Sequence, residues 1–186
     1  MRRIIPASVR ATLLGLAVAA SVTLASAAET EWVYPTIQGF GKTAALPHAA
    51  MQPSKSDEYK VVFNLTPGGD PDKFNAALDR VARTVNIFTS AGVPLSHLHF
   101  IVVIHGPATP IVMKNEAYRQ KFNMDNPNIP LIAALTKANV KVVVCGQALA
   151  YNNIAHEAVN PEVEITLSAI SDVIILEKAG YQLFPL

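Results

Sequence analysis

The sequence predicts an α/β domain, a three-layer sandwich on a mostly parallel five-stranded sheet with the flavodoxin-like strand order 2-1-3-4-5. Three observations carry that expectation. The runs Val61–Leu65, Leu98–Ile104 and Val140–Val144 are almost continuously apolar, as strands covered on both faces must be. Helical periodicity occupies the intervals between them, and strand alternating with helix implies parallel pairing through right-handed crossovers. With 51% hydrophobic and 16% charged residues, the 186-residue chain can fill one sizeable core and is not of disordered composition.

Residues 1–27 read separately from the rest. Arg2, Arg3 and Arg10 precede an apolar run from Ala11 to Ala20 and a small-residue Ala25-Ser26-Ala27 end, the pattern of a cleavable secretory signal peptide rather than a membrane anchor. Export to the periplasm and a mature start near Ala28 are the expectation. Without that segment, 12 basic residues face 14 acidic ones, a net charge of about −2, and no basic block remains to neutralise phosphates, so no nucleic-acid partner is expected. Residues 28–58 hold Pro35, Pro47, Pro53, Gly39 and Gly41 without a sustained period and read as an irregular extension; Trp32, Tyr34, Ile37 and Phe40 could pack it on the domain.

The domain proper is expected over 59–186. Its first strand is broken by Thr66-Pro67-Gly68-Gly69, and Asp70 can cap a helix that Pro71 begins and Gly92 ends, with Phe74, Leu78, Val81, Val85 and Phe88 along one face. The second strand ends at His105-Gly106-Pro107. One or two short helices fit between Thr109 and Phe122, and Asn128 can cap another that Asn139 closes. The third strand ends at Cys145. A helix follows from Gln147 to Ile154, then a strand through Val163, Ile165 and Leu167, a helix capped by Ser168 and ended by Gly180, and a last strand from Tyr181 to Phe184.

Open parallel sheets bind ligands beyond the carboxyl ends of their strands, where the winding reverses. With order 2-1-3-4-5 that crevice lies between the first and third strands, and the groups at the strand ends are Asn64, Thr66, His105, Gly106, Cys145, Gly146 and Gln147. Cys145 is the only cysteine, so no intrachain disulfide can form, and an exported lone thiol is either inert core filling or a reactive group. Its position before a helix would favour the thiolate, and Gly146 would leave its sulfur open to approach. His97 and His99 face one way on their strand but lie at the opposite end and lack an evident third ligand, so no metal is expected. Gly68-Gly69-Asp70 lacks the Lys and Ser/Thr of a phosphate loop, and there is no dinucleotide fingerprint, so no cofactor is called for.

Four segments carry a resemblance: Tyr59 to Leu65; Val103-Ile104-His105-Gly106-Pro107-Ala108; Val142-Val143-Val144-Cys145-Gly146-Gln147-Ala148-Leu149; and Gly180-Tyr181. Together they resemble the DsrE/DsrF-like family, in its exported, small single-domain branch. The resemblance implies a sulfur-carrier thiol at the end of the third strand, which Cys145 matches, and assembly into a homotrimer or homohexamer. The expected function is then a periplasmic persulfide carrier or relay, with sulfurtransferase-like activity, acting through Cys145. Asn64 and His105 would position the incoming group, and the partners would be a sulfur-donor or acceptor protein or a small sulfur compound, without stable membrane anchoring. The rival expectation is a non-catalytic oligomeric module that binds a small ligand or partner and keeps Cys145 inert.

Overall fold

The computed structural model describes residues 30–186, so the expected signal peptide over 1–27 lies outside the described residues. In chain order the elements are β1 (Trp32–Val33), β2 (Thr43–Ala44), β3 (Tyr59–Leu65), α1 (Ala76–Ser90), β4 (Leu98–Ile104), α2 (Asn115–Phe122), α3 (Ile129–Lys137), β5 (Lys141–Cys145), α4 (Gly146–Tyr151), β6 (Glu164–Thr166), α5 (Ala169–Lys178) and β7 (Gln182–Pro185). A 3₁₀ segment, Gly106–Val112, leads from β4 toward α2. None of the helices of the described residues is long and apolar enough to cross a membrane.

The last five strands form one sheet in the order β6-β5-β4-β3-β7, and each adjacent pair is parallel. The α/β class and the five parallel strands agree with the sequence reading; the order 2-1-3-4-5 does not. Counted from the first strand of this sheet, the order is 5-1-2-3-4, because the second strand, β4, takes the centre. The reason is burial: Phe100, Val102, Val103 and Ile104 have at most 1% of their surface exposed, whereas all four residues of β7 are exposed and β6 has only three residues. A strand apolar on both faces gains most where it has a neighbour on each side, and short or exposed strands fit edges.

The pleat sorts the side chains into two unequal cores. Phe63, Leu65, Phe100, Val102, Ile104, Val142 and Val144 point to one face, where Leu78, Val81 and Val85 of α1 and Leu131, Ile132 and Leu135 of α3 cover them. Val62, Val103, Val143 and Cys145 point to the other face, against Ala169, Val173 and Leu176 of α5. This division follows from the winding. The crossovers that step from β3 to β5 advance in one direction, and α5 returns to β7 on the far edge, which puts it on the opposite face.

Local capping differs from the sequence reading at one point. Asn75, not Asp70, caps α1, its side-chain oxygen accepting from the backbone N–H groups of Ala77 and Leu78 at 2.9 Å each, while Asp70 pairs with Lys73 on the surface. The Asn75 side chain is fixed in turn by donating to the carbonyl of Pro67, so the loop after β3 and the helix start are one unit. Ser168 caps α5 as expected, and Gly92 and Gly180 follow their helices with φ of +88° and +86°.

The extension is held by a buried asparagine that its helical spacing did not single out. Asn86 of α1 accepts from the N–H groups of Thr36 and Ile37 (3.1 and 2.8 Å) and donates to carbonyls of the same segment, including that of Gly41 at 3.0 Å. Gly41 lies so close to α1 that a Cβ there would meet the Arg83 nitrogen at 2.2 Å, and its N–H donates to Asp79 at 2.7 Å.

Candidate functional site

The candidate site is a row of side chains along the carboxyl edge of the sheet, on the α5 face. Alternation from Val62, Val103 and Val143 puts Asn64, His105 and Cys145 on that face in turn. Ile104 pairs with Val144, so His105 and Cys145 occupy the next positions of neighbouring strands, and Cys145 pairs with Thr166 on its other side. The crevice expected between the first and third strands does not exist, since β4 lies between them. The winding instead reverses between β3 and β7, beside Asn64, whose carbonyl accepts from the N–H of Leu186 at 3.0 Å.

Asn64, Thr66 and His105 form one cluster. The Nε2 of His105 lies 2.8 Å from the side-chain oxygen of Asn64 and 3.1 Å from the Thr66 hydroxyl. Donation to the Asn64 amide oxygen requires the proton on Nε2, which leaves Nδ1 as the basic nitrogen of the neutral ring. Burial lowers the His105 pKa from its ordinary value, favouring that neutral form. The backbone supports the arrangement: His105 N–H donates to the Leu65 carbonyl at 3.1 Å and Ala108 N–H to that of Thr66 at 3.1 Å. Gly106 turns the chain out of β4 with φ +57°, and a Cβ there would press on the Thr66 methyl at 3.0 Å.

Cys145 ends β5 and caps α4, its Sγ accepting from the Ala148 N–H at 3.4 Å. The residue is buried, 5% exposed, among Val62, Val103, Val143 and Ala169. The expectation of an open thiol is thereby corrected. Gly146 does not clear an approach to the sulfur; it lets the turn after β5 touch the turn after β6, where a Cβ would meet the Thr166 carbonyl oxygen at 2.6 Å. That contact brings the first turn of α5 over the thiol. Gln147 stands apart from the row: it is exposed and reaches the carbonyl of Leu167 at 3.4 Å.

Sequence reasoning missed the other wall of the site. Thr166 donates to the Asp172 carboxylate at 2.5 Å, tying β6 to α5 beside Cys145. A polar residue at a strand end and an acid in the first turn of the next helix were the available signal. At the opposite edge of the sheet only His99 lies on β4, His97 ending the 3₁₀ turn Leu95–His97 before it, and Glu58 reaches both, with His99 Nε2 at 2.5 Å and His97 Nε2 at 3.8 Å. Even so, among the described residues no group of three His, Cys, Asp or Glu side chains is disposed to hold a metal ion.

A cavity of about 360 Å³ opens beyond β3 and β4 on the other face, between Pro71, Pro107, Ile111, Tyr118 and Phe122. Neither His105 nor Cys145 lines it.

With this geometry in view, the model of the DsrE/DsrF-like family matches residues 58–186. The chain belongs to the DsrE/DsrF-like family. Two solved structures share its fold. A protein of unknown function from Methanobacterium thermoautotrophicum, MTH1491, is 15% identical with a TM-score of 0.51, over 69% of this chain and 100% of its own. The ychN protein from E. coli is 13% identical with a TM-score of 0.50, over 69% of this chain and 99% of its own. At such identities the likeness is one of fold. No curated protein matches the sequence. DsrE/DsrF-like membership is consistent with a sulfur-relay role, and in this chain it falls on a domain whose single cysteine ends the third strand of the sheet.

Proposed function

We propose that this DsrE/DsrF-like protein is a periplasmic, homo-oligomeric sulfur carrier that holds sulfane sulfur as a persulfide on Cys145. The observation that carries the reading is the row on the α5 face, in which a thiol at a helix start adjoins a strand ending in a neutral imidazole. The Ala148 N–H directed at Sγ fixes the sulfur at the helix start, and the thiolate is the form of a cysteine that attacks sulfur. The Cys145 thiolate attacks the terminal sulfur of a donor persulfide, forming a new S–S bond as the donor's own S–S bond breaks. The donor's inner sulfur departs with the electron pair as a thiolate, so no external oxidant or reductant enters. His105 Nδ1 is the proton acceptor in this reading, and Asn64 and Thr66 hold the ring in the required tautomer.

Because Ala169 covers the thiol, sulfur uptake requires the first turn of α5 to move aside. The same burial favours a second reading, a binding module in which Cys145 is inert filling. Mass spectrometry of the folded protein after exposure to polysulfide separates the two. The carrier acquires sulfur atoms on Cys145 and the Cys145→Ser variant acquires none; a wild-type mass that stays unchanged supports the module.

A further inference from the structure

We propose that the cavity beyond β3 and β4 is a second, preformed binding site, which takes a small uncharged aromatic ring carrying an amide. It stands apart from the Cys145 row and does not depend on the carrier reading. The cavity lies beyond the carboxyl ends of the strands, where α/β sheets hold their ligands, and its volume of about 360 Å³ is that of a small-molecule site. Its walls are tied together by hydrogen bonds that are wholly or partly buried. The Asn75 side chain donates to the carbonyls of Pro67 and Gly68 at 2.8 and 3.2 Å, and the Asn75 backbone N–H donates to the Asn128 side-chain oxygen at 2.6 Å. The Tyr118 hydroxyl donates to the Pro71 carbonyl at 2.8 Å. The loop after β3 thus meets α1, α2 and α3 around one fixed space, and a ligand does not have to order them.

The lining states the chemistry of the occupant. Pro71, Pro107, Pro110 and Phe122 make a wall of rings, and Phe122 lies 4.5 Å from the Tyr118 ring. Such side chains are stiff, and aromatic rings attract another ring beyond the area it buries. Two polar side chains interrupt this wall, Asn128 at 1% exposed and Tyr118 at 2%. Both keep unused hydrogen-bonding capacity. The Asn128 amide nitrogen donates only to Asn126, which leaves it one N–H, and the Tyr118 oxygen donates once and accepts from no group of the described residues. An amide on the ligand supplies a carbonyl to the first and an N–H to the second. The charged residues of the lining are Asp70 and Lys73, which pair with each other at 2.7 Å on the surface. A charged ligand would be buried without a counter-charge.

An NMR titration of the ¹⁵N-labelled protein tests the site with four probes. Benzamide, benzoate and benzamidine share one shape and differ in charge, whereas cyclohexanecarboxamide carries the same amide on a saturated ring. Benzamide should shift the amide signals of Gly69, Ile111, Tyr118 and Phe122, and the other three should bind about tenfold or more weakly. A Cβ on Gly69 would meet only Asn75 Nδ2, at 3.8 Å, so substitutions are tolerated there. Gly69→Phe should fill the mouth and abolish the shifts, and Gly69→Ala should keep them. Benzamide shifts that are absent or lie elsewhere overturn the proposal. So does a charged or saturated probe that binds as tightly as benzamide, or a folded Gly69→Phe that still binds it. Sulfur uptake on Cys145 enters none of these readings, so the site and the carrier function stand or fall separately.

Discussion

The two faces of the sheet differ in how much they bury and in what they expose. One carries α1, α3 and a large apolar cluster in which Phe63, Phe100, Leu78 and Leu135 are fully covered. The other carries α5 alone over a small cluster that includes Cys145. The thick side supplies most of the apolar burial that holds the domain together. The thin side has fewer contacts to break, so it is where the molecule opens short of unfolding. Under the proposed carrier function, a thiol protected between transfers and reached during them would belong on the thin side.

Substitutions on the two faces should separate by size of effect. On the thick side, Phe100→Ala empties space between β4 and its neighbours and should cost about 3–5 kcal/mol, read as a shift in the denaturation midpoint. A loss below about 1 kcal/mol would mean that this side is less tightly packed than its burial indicates. On the thin side, Gly146→Ala forces a Cβ against the Thr166 carbonyl oxygen and should cost about 1–3 kcal/mol. It should also push apart the two turns that cover Cys145 and raise the rate of its alkylation. Destabilisation with no gain in that rate would detach Gly146 from the cover of the thiol.

Asn86→Ala tests the thick side from outside. It removes the partner of the Thr36 and Ile37 N–H groups and should cost about 1–3 kcal/mol, with proteolysis appearing in residues 36–53. An uncut extension would mean that Gly41 and Asp79 hold it unaided.

The smallest expected effect is one of pH. The folded-state pKa of His105 is lowered by burial, so the unfolded chain takes up the proton first as the pH falls. Its contribution is present above about pH 6.5 and is lost as pH falls through the lower folded value. The stability of His105→Gln should fall less steeply over that range, and parallel profiles would remove His105 from the pH response.

The thick side was legible in sequence. Apolar periodicity in 59–144 reports burial directly, and both strands and helices were readable there to within a few residues. Asp70 was preferred over Asn75 as the α1 cap because Pro71 suggested an earlier start, and the polar bond from Asn75 to Pro67 carries no periodic signal. Strand order was not legible. It depends on which strand gains most from two neighbours, a comparison of burial across the whole sheet. In the site, residue type and position at strand ends marked Asn64, Thr66, His105 and Cys145, and the structure joins the first three by hydrogen bonds. Burial of the thiol was hidden because Ala169 and Thr166, which cover and flank it, come from elements about 20 residues further along the chain.

The central claim is that Cys145 becomes reachable through movement of α5 while the thick side stays folded. Native-state alkylation of Cys145 across a series of low denaturant concentrations measures this most directly. The predicted result is an opening free energy well below that of global unfolding and nearly independent of denaturant, since moving one helical turn exposes little surface. An opening free energy equal to the global value, falling with the full denaturant slope, would contradict it and make the thiol part of the fixed core.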